Sequence, residues 1–283
     1  MNEEEVKPVA ATGADAIRRI FGHEKIVIGV VHCLPLPGSP DYQGGPMRAI
    51  IDRALADADS YVAGGMDGLI VENHGDIPFL KPGELGPETA SCLAVIADHV
   101  RARFAVPLGI NVLANGAIHA FAVAKAAGAA FIRVNQWANA YIANEGFVEG
   151  AAAAALRYRA AIRAPEIAVF ADAHVKHGAH AIVADRPVAE LVRDVAFFHA
   201  DAVIATGNRT GDAASDAEIS TIRAATHLPV LVGSGVTPDN VAKILAAVDG
   251  VIVASALKEG GVWWNPVEPA RVRKFIAAAR KIP

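Results

Sequence analysis

Cysteine is nearly absent from this chain: Cys33 and Cys92 are the only two among 283 residues. Two thiols cannot build a disulfide framework or a Cys-based zinc site. Long apolar runs are missing as well. Even AVAKAAGAAFI carries Lys125 and a glycine, so no stretch approaches the eighteen residues of a membrane-spanning helix. Charge of one sign is not in excess, since 26 basic against 30 acidic residues leave a net charge of −4. That balance offers no electrostatic footprint to nucleic acid or an acidic membrane, and no basic stripe or amphipathic anchor is present. The opening MNEEEVKPVAAT is acidic and polar, where a secretory signal is basic and then apolar. The expectation is a cytoplasmic protein with no nucleic-acid partner and no membrane insertion.

What the chain does have is apolar content, 53% of its residues and much of it alanine, enough for one large core. No linker or composition shift divides it, so residues 1–283 read as one domain. Residues 1–12 read as a loose N-terminal arm, and Gly13 to Gly22 as a short helix able to plug the bottom of a barrel. Eight β-branched runs follow: KIVIGVVH (25–32), DGLIVEN (67–73), PLGINV (107–112), AAFIRVN (129–135), EIAVFADAHV (166–175), DAVIAT (201–206), PVLVG (229–233) and DGVIVAS (249–255). Helical patterns separate them, over Met47 to Ala63, Pro87 to Arg103, Ala114 to Ala127, Gly146 to Arg163, Pro187 to His199, Ala213 to Thr226 and Pro238 to Ala247. The eighth, Arg271 to Arg280, follows Asn265-Pro266 as cap and first turn. Eight strand–helix units predict a (β/α)₈ TIM barrel. A doubly wound sheet rarely needs eight near-equal units, and no GxGxxG follows the first strand.

Active sites of such barrels gather where the strands end at their C-terminal face. On the fifth strand Val169, Ala171, Ala173 and Val175 have the phase of the helix-facing side. Phe170, Asp172, His174 and Lys176 take the other phase, from apolar at the base to ionisable at the mouth. The same phase places His32 on strand one, Glu72 on strand two, Asn111 on strand three, and Arg133 and Asn135 on strand four. Buried polar groups cost several kcal/mol unless paired or used, so their convergence marks a site. Two carboxylates and a lysine in one cavity can have their pKa values driven apart, which suits proton transfer beside a carbonyl or at an anomeric carbon. In this reading Glu72 and Asp172 are acid and base. Lys176 stabilises charge or forms a Schiff base, while His32 and Arg133 assist. The duller alternatives are an ion pair of Glu72 with Arg133 or Lys176, a hydrogen-bonded core histidine at His32, and asparagines that satisfy loop backbone.

No tight HxH or HExxH spacing occurs, so no cofactor is expected. The alternative is a divalent metal held by His32, Glu72, Asp172 and His174. The small-molecule substrate is expected to be phosphorylated, because PVLVGSGVTPDN runs from strand through Gly233-Ser234-Gly235 to a helix start at Thr237-Pro238-Asp239. That geometry offers backbone N–H groups to an anion. Ser255 and the glycines 260 and 261 after strand eight, with Thr206 and Gly207 opening TGNRTG (206–211), extend the same cradle. Two long Pro/Gly loops, His32 to Gly45 and ENHGDIPFLKPGELGPET, are candidate lids; His74, Asp76 and Phe79 in the second either contact substrate or cover the barrel. Trp263 and Trp264 in the last loop suit a lid or the interface of a homo-oligomer.

The phrases IGVVHCLPLPGSP, DGLIVENHGDIPF, LGINVLAN, FIRVNQWANAYIANEGFVEG, ADAHVKHG, VLVGSGVTPDN and GGVWWNPVEPARVRKF span nearly the whole chain. Together they resemble the BtpA/SgcQ family. The resemblance implies a phosphate-binding (β/α)₈ barrel. The family takes its name from a photosystem I biogenesis factor, and bacterial relatives carry nucleosidase or sugar-metabolism labels. It therefore implies either an enzyme of sugar phosphates or nucleoside-like glycosides (isomerase, lyase or nucleosidase) or a non-catalytic assembly factor. Most of the polar mouth positions fall inside the matching phrases. QWANAYIANEG departs from the more polar family pattern, which points to a different substrate choice there.

Overall fold

The computed structural model describes residues 15–207 and 214–281. The predicted N-terminal arm and residues 208–211 of the strand-six turn lie outside them. Ten strands are present among the described residues: β1 (Ile26–His32), β2 (Gly68–Glu72), β3 (Leu108–Asn111), β4 (Phe131–Val134), β5 (Ala140–Ala143), β6 (Gly146–Glu149), β7 (Ala168–Asp172), β8 (Ala202–Ala205), β9 (Val230–Val232) and β10 (Gly250–Val253). Eight of them close into a barrel in the order β1-β10-β9-β8-β7-β4-β3-β2, and β5 pairs only with β6. Every barrel pairing is parallel. The helices are α1 (Ala16–Phe21), α2 (Met47–Ala63), α3 (Pro87–Arg103), α4 (Ala117–Ala127), α5 (Ala152–Ala161), α6 (Val188–Phe197), α7 (Asp216–Ala225), α8 (Val241–Ala247) and α9 (Pro269–Ala279).

Alternation along the strands divides the core in two. Val27, Val31, Leu69, Val71, Val169 and Ala171 point outward into the layer shared with the helices. Ile26, Ile28, Val30, Ile70, Phe131, Phe170, Ile204, Leu231 and Ile252 fill the interior. Phe131 and Phe170 stack there at 4.5 Å, and Gly109 must be glycine, since a Cβ would sit 2.3 Å from the Phe131 ring. The short helix α1 closes the base, with Ala16 and Ile17 in the interior cluster and Phe21 5.9 Å from Phe131. With base and middle filled by hydrocarbon, only the C-terminal mouth is left for polar groups.

Four predicted boundaries move. The helix expected from Gly146 starts at Ala152, because Ala140–Glu149 forms an antiparallel hairpin turning at Asn144-Glu145, with Gly146 at φ +98°. The helix expected from Pro238 starts at Val241. The Asn240 side chain accepts from Thr237 N–H at 2.8 Å and donates to Gly235 O at 2.9 Å, which holds residues 235–240 as a loop. The helix α4 starts at Ala117 instead of Ala114, after Asn115 at φ +61°. The last helix is capped at Glu268 with Pro269 in its first turn, in place of Asn265-Pro266.

The loop from β10 to α9 is anchored by charge. Lys258 Nζ lies 2.6 Å from Asp57 Oδ2 on α2, and both side chains are buried. Asp57 Oδ1 also accepts the Val267 N–H at 2.8 Å. Removing Lys258 leaves the buried Asp57 carboxylate only the longer Arg53 contact, at 3.4 Å, as charge compensation. Lys258→Met should therefore cost about 3–5 kcal/mol by denaturant unfolding. A change within 1 kcal/mol would contradict this role for the pair.

Candidate active site at the barrel mouth

The register of neighbouring strands places the polar residues side by side: His32 opposite Glu72, Glu72 opposite Asn111, and Asn111 opposite Arg133. Glu72 sits at the centre of one group. Its Oε2 accepts from Asn111 Nδ2 at 2.5 Å, and its Oε1 lies 2.9 Å from His74 Nδ1 and 3.7 Å from His32 Nε2. Burial alone would raise its pKa, but the hydrogen bond and charge of His74, with His32 and Arg133 nearby, outweigh that and hold it well below the usual carboxylate range. Glu72 is thus an anion at neutral pH, able to accept a proton or hold a cation but not to donate.

Asp172 anchors the second group. Its carboxylate takes a bidentate fork from Arg133, with Nε and Nη2 each at 3.1 Å, and a third bond from Asn135 Nδ2 at 3.1 Å. Planar forks of this kind fix both partners. The alternative ion pair of Glu72 with Arg133 or Lys176 is not formed among the described residues; Arg133 pairs with Asp172 instead. The three hydrogen bonds that Asp172 accepts thus come from Arg133 and Asn135. Lys176 lines the same cavity; burial and the Arg133 charge lower its pKa against the pull of Asp172 and Glu72.

Glu72, His74, Asn111, Arg133, Asn135 and Lys176 line a cavity of about 350 Å³ together with Phe79, Leu113, Tyr141 and Glu145, while His32 lines the neighbouring cavity with Trp263. On its floor two buried amide oxygens, Asn111 Oδ1 and Asn135 Oδ1, have no protein partner. Buried acceptors are rarely left so. Tyr141 and Glu145 come from the hairpin β5–β6, which sequence reasoning read as loop and helix. The alternation in YIA and FVE around Asn-Glu-Gly was the available signal.

Strand β7 ends at Asp172, and the predicted phase ends with it. His174 turns away from the cavity and stacks on His180 at 3.8 Å. Val175 packs with Tyr141 and Val148 of the hairpin and lines the cavity instead of facing a helix. The alternative metal set of His32, Glu72, Asp172 and His174 is not assembled. Among the described residues His32, Glu72 and His74 gather in its place. The two lid loops are joined by Asp76, which accepts from Leu36 N–H at 2.8 Å and Asn73 Nδ2 at 3.1 Å. Asp76 thus covers the barrel, while His74 and Phe79 face the cavity. Trp263 stands edge-on to His74 at 4.5 Å, and its neighbour Trp264 is 61% exposed.

The glycine turn lies beside the second group. A Cβ on Gly233 would meet Arg133 Nη2 at 3.5 Å. The Gly233 N–H is bonded to Ala205 O at 2.8 Å, so this residue contributes space and not a donor. Gly235 and Gly207 both have φ +65°, Ser234 is buried, and Ser255 opens a short 3₁₀ turn after β10. The Thr206 hydroxyl donates to His174 O and accepts from Lys176 N–H, each at 3.0 Å; it shapes the loop that carries Lys176.

A family model for the BtpA family matches residues 23–281. The chain belongs to the BtpA family. Its relatives in that family include a protein of Archaeoglobus fulgidus, 44% identical over 257 residues, with 91% of this chain and 99% of that one covered. The photosystem I biogenesis protein BtpA of Synechocystis is 40% identical over 254 residues, covering 89% of this chain and 87% of that one. Among solved structures, tryptophan synthase of Mycobacterium tuberculosis matches with a TM-score of 0.58 at 19% identity, over 94% of this chain and 96% of that one. N-(5′-phosphoribosyl)anthranilate isomerase of Pyrococcus furiosus matches at 0.54 and 14% identity, over 91% and 100%. At such identities the likeness shows the fold this BtpA-family chain shares with them. No helix among the described residues is long and apolar enough to cross a membrane.

The His174–His180 stack makes the edge of the mouth acid-sensitive. Burial, with the His180 ring alongside, pushes His174 down to about 4. The unfolded chain protonates first, near 6.5, so this stabilisation is complete above pH 6.5 and lost as pH falls toward 4. Because the ring is partly exposed, solvent screening keeps the slope below the roughly 1.4 kcal/mol per pH unit of one fully coupled proton. Melting temperature should therefore drop over that window, and less steeply in His174→Gln. Equal slopes for the two proteins would refute the assignment.

Proposed function

We propose that this BtpA-family barrel is an enzyme acting on a phosphorylated sugar or nucleoside-like glycoside. The observation that carries the reading is the cavity itself, with an ionised carboxylate, two cations and two unpartnered buried amide oxygens converging at the strand ends. Sugar hydroxyls are the donors that Asn111 Oδ1 and Asn135 Oδ1 lack. The turn at Gly233–Gly235 lies next to Arg133, so a phosphate seated there would meet positive charge as well as backbone. Glu72 is the proton acceptor and Lys176 the proton donor. Asp172 holds Arg133 in place, a positioning role. Proton transfer beside a carbonyl, as in isomerases and lyases, and departure of a base from an anomeric carbon both use such a pair. The solved barrels of similar fold include enzymes named for phosphoribosyl and thiamine phosphate substrates, which supports the substrate class by analogy of fold only.

A second reading is a non-catalytic assembly factor, as the name of the Synechocystis relative suggests. It is favoured by Ile142 and Phe147, paired across the hairpin and both exposed on its outer face.

Melting temperature with and without ribose 5-phosphate separates the two. At 100-fold excess over Kd, binding should raise it by roughly 5 °C. Lys176→Met should lose most of that shift. Glu72→Gln should keep it while losing at least about 100-fold in turnover of whichever substrate is found. No shift across a panel of sugar phosphates and nucleosides, with membrane association that survives loss of Glu72 and Lys176, would favour the assembly factor.

A further inference from the structure

We propose that His32, Glu72 and His74 form a binding site for one first-row divalent cation of the zinc type. The three donor atoms, two imidazole nitrogens and one carboxylate oxygen, all lie within 4.8 Å of one another. Ligands about 2.0–2.2 Å from a shared ion are roughly 3–4 Å apart. The 3.7 Å from His32 Nε2 to Glu72 Oε1 fits that span, and the 2.9 Å from His74 Nδ1 needs only a small opening. Two nitrogens among three donors select a borderline metal over magnesium or calcium, which take oxygen.

Two further observations point to a cation. His32 Nδ1 lies 3.2 Å from the Trp263 carbonyl oxygen, a contact that requires the ring proton on Nδ1. Its Nε2 faces the Glu72 carboxylate at 3.7 Å, beyond hydrogen-bonding distance. A histidine that donates one nitrogen to a carbonyl and presents the other to an ion has the usual arrangement of a metal ligand. The second observation is Asn111. Its Nδ2 steadies the far oxygen of Glu72, while its Oδ1 is buried without a partner, placed to accept from a water on the cation. His74 completes the set once its proton has moved to Nε2. Arg133 does not compete for Glu72 as an ion-pair partner, because Asp172 already takes its fork.

Such an ion would face the cavity with open positions, able to polarise a substrate oxygen or bound water. The site rests on the sugar-phosphate reading only for what the ion acts on. Equilibrium dialysis of the untagged full chain against Zn²⁺, followed by elemental analysis, tests it. One equivalent should be retained by the wild type and by His119→Ala, a distant histidine control. His74→Ala should weaken retention by at least about 100-fold, because loss of a direct ligand exceeds the 10–100-fold cost of losing a supporting contact. Cobalt(II) gives a reading that needs no variant: intense visible bands of low coordination are expected. A pale spectrum like that of the aqua ion, or equal zinc retention by His74→Ala, would overturn the site. Zinc uptake without ribose 5-phosphate binding would uphold the site and remove the sugar-phosphate reading. Ribose 5-phosphate binding with no zinc uptake would do the reverse.

Discussion

The bidentate bond between Arg133 and Asp172 is the constraint on which the mouth of this barrel depends. A guanidinium on β4 and a carboxylate on β7 stand inside a closed sheet where neither could persist alone. Joined through two bonds, they hold each other in place and leave Glu72, across the mouth, as a second carboxylate with its own set of donors. Asn135 is fixed by the same carboxylate, and the Gly233 turn abuts the same guanidinium. The pair thus divides the floor into an anion-attracting side, with Arg133, Lys176 and the glycine turn, and a cation-attracting side around Glu72.

The remaining architecture delivers these groups to one level. Phe131 and Phe170 fill the middle of the barrel and α1 closes its base, so no solvent reaches the polar layer from below. The buried Lys258–Asp57 pair fixes the loop after β10 to α2, and that loop carries Trp263, whose carbonyl sets the proton on His32. A charge pair in the outer layer is in this way connected to the tautomer of a histidine in the site. On the opposite rim the hairpin supplies Tyr141 and Glu145 and rests on Val175.

Much of this was legible in the sequence. Both faces of IVIGVVH, GLIVE and AVFAD are apolar, so the ionisable end of the Phe170 phase oriented strand five, and period two carried that phase to His32 and Glu72. Legibility failed where the strands stop. His174 and Val175 follow the end of β7, so alternation no longer governs them, and tertiary contacts with His180 and the hairpin decide their directions. The pairing of charges was also out of reach. Glu72, Asp172, Arg133 and Lys176 allow more than one match; in register Arg133 is level with Phe170, and only the reach of its guanidinium along the neighbouring strand joins it to Asp172. The hairpin was missed because its alanine-rich sequence runs directly into a helix. The glycine turns were visible, but the committed N–H of Gly233 was not.

The central claim is that the orphaned oxygens of Asn111 and Asn135, together with the turn after β9, define one ligand site. A crystal structure of the protein soaked with ribose 5-phosphate tests this most directly. Phosphate density is expected against the 233–235 turn beside Arg133, with sugar hydroxyls within hydrogen-bonding distance of both amide oxygens. Saturating ligand that leaves the turn empty, or that binds elsewhere on the molecule, would contradict it.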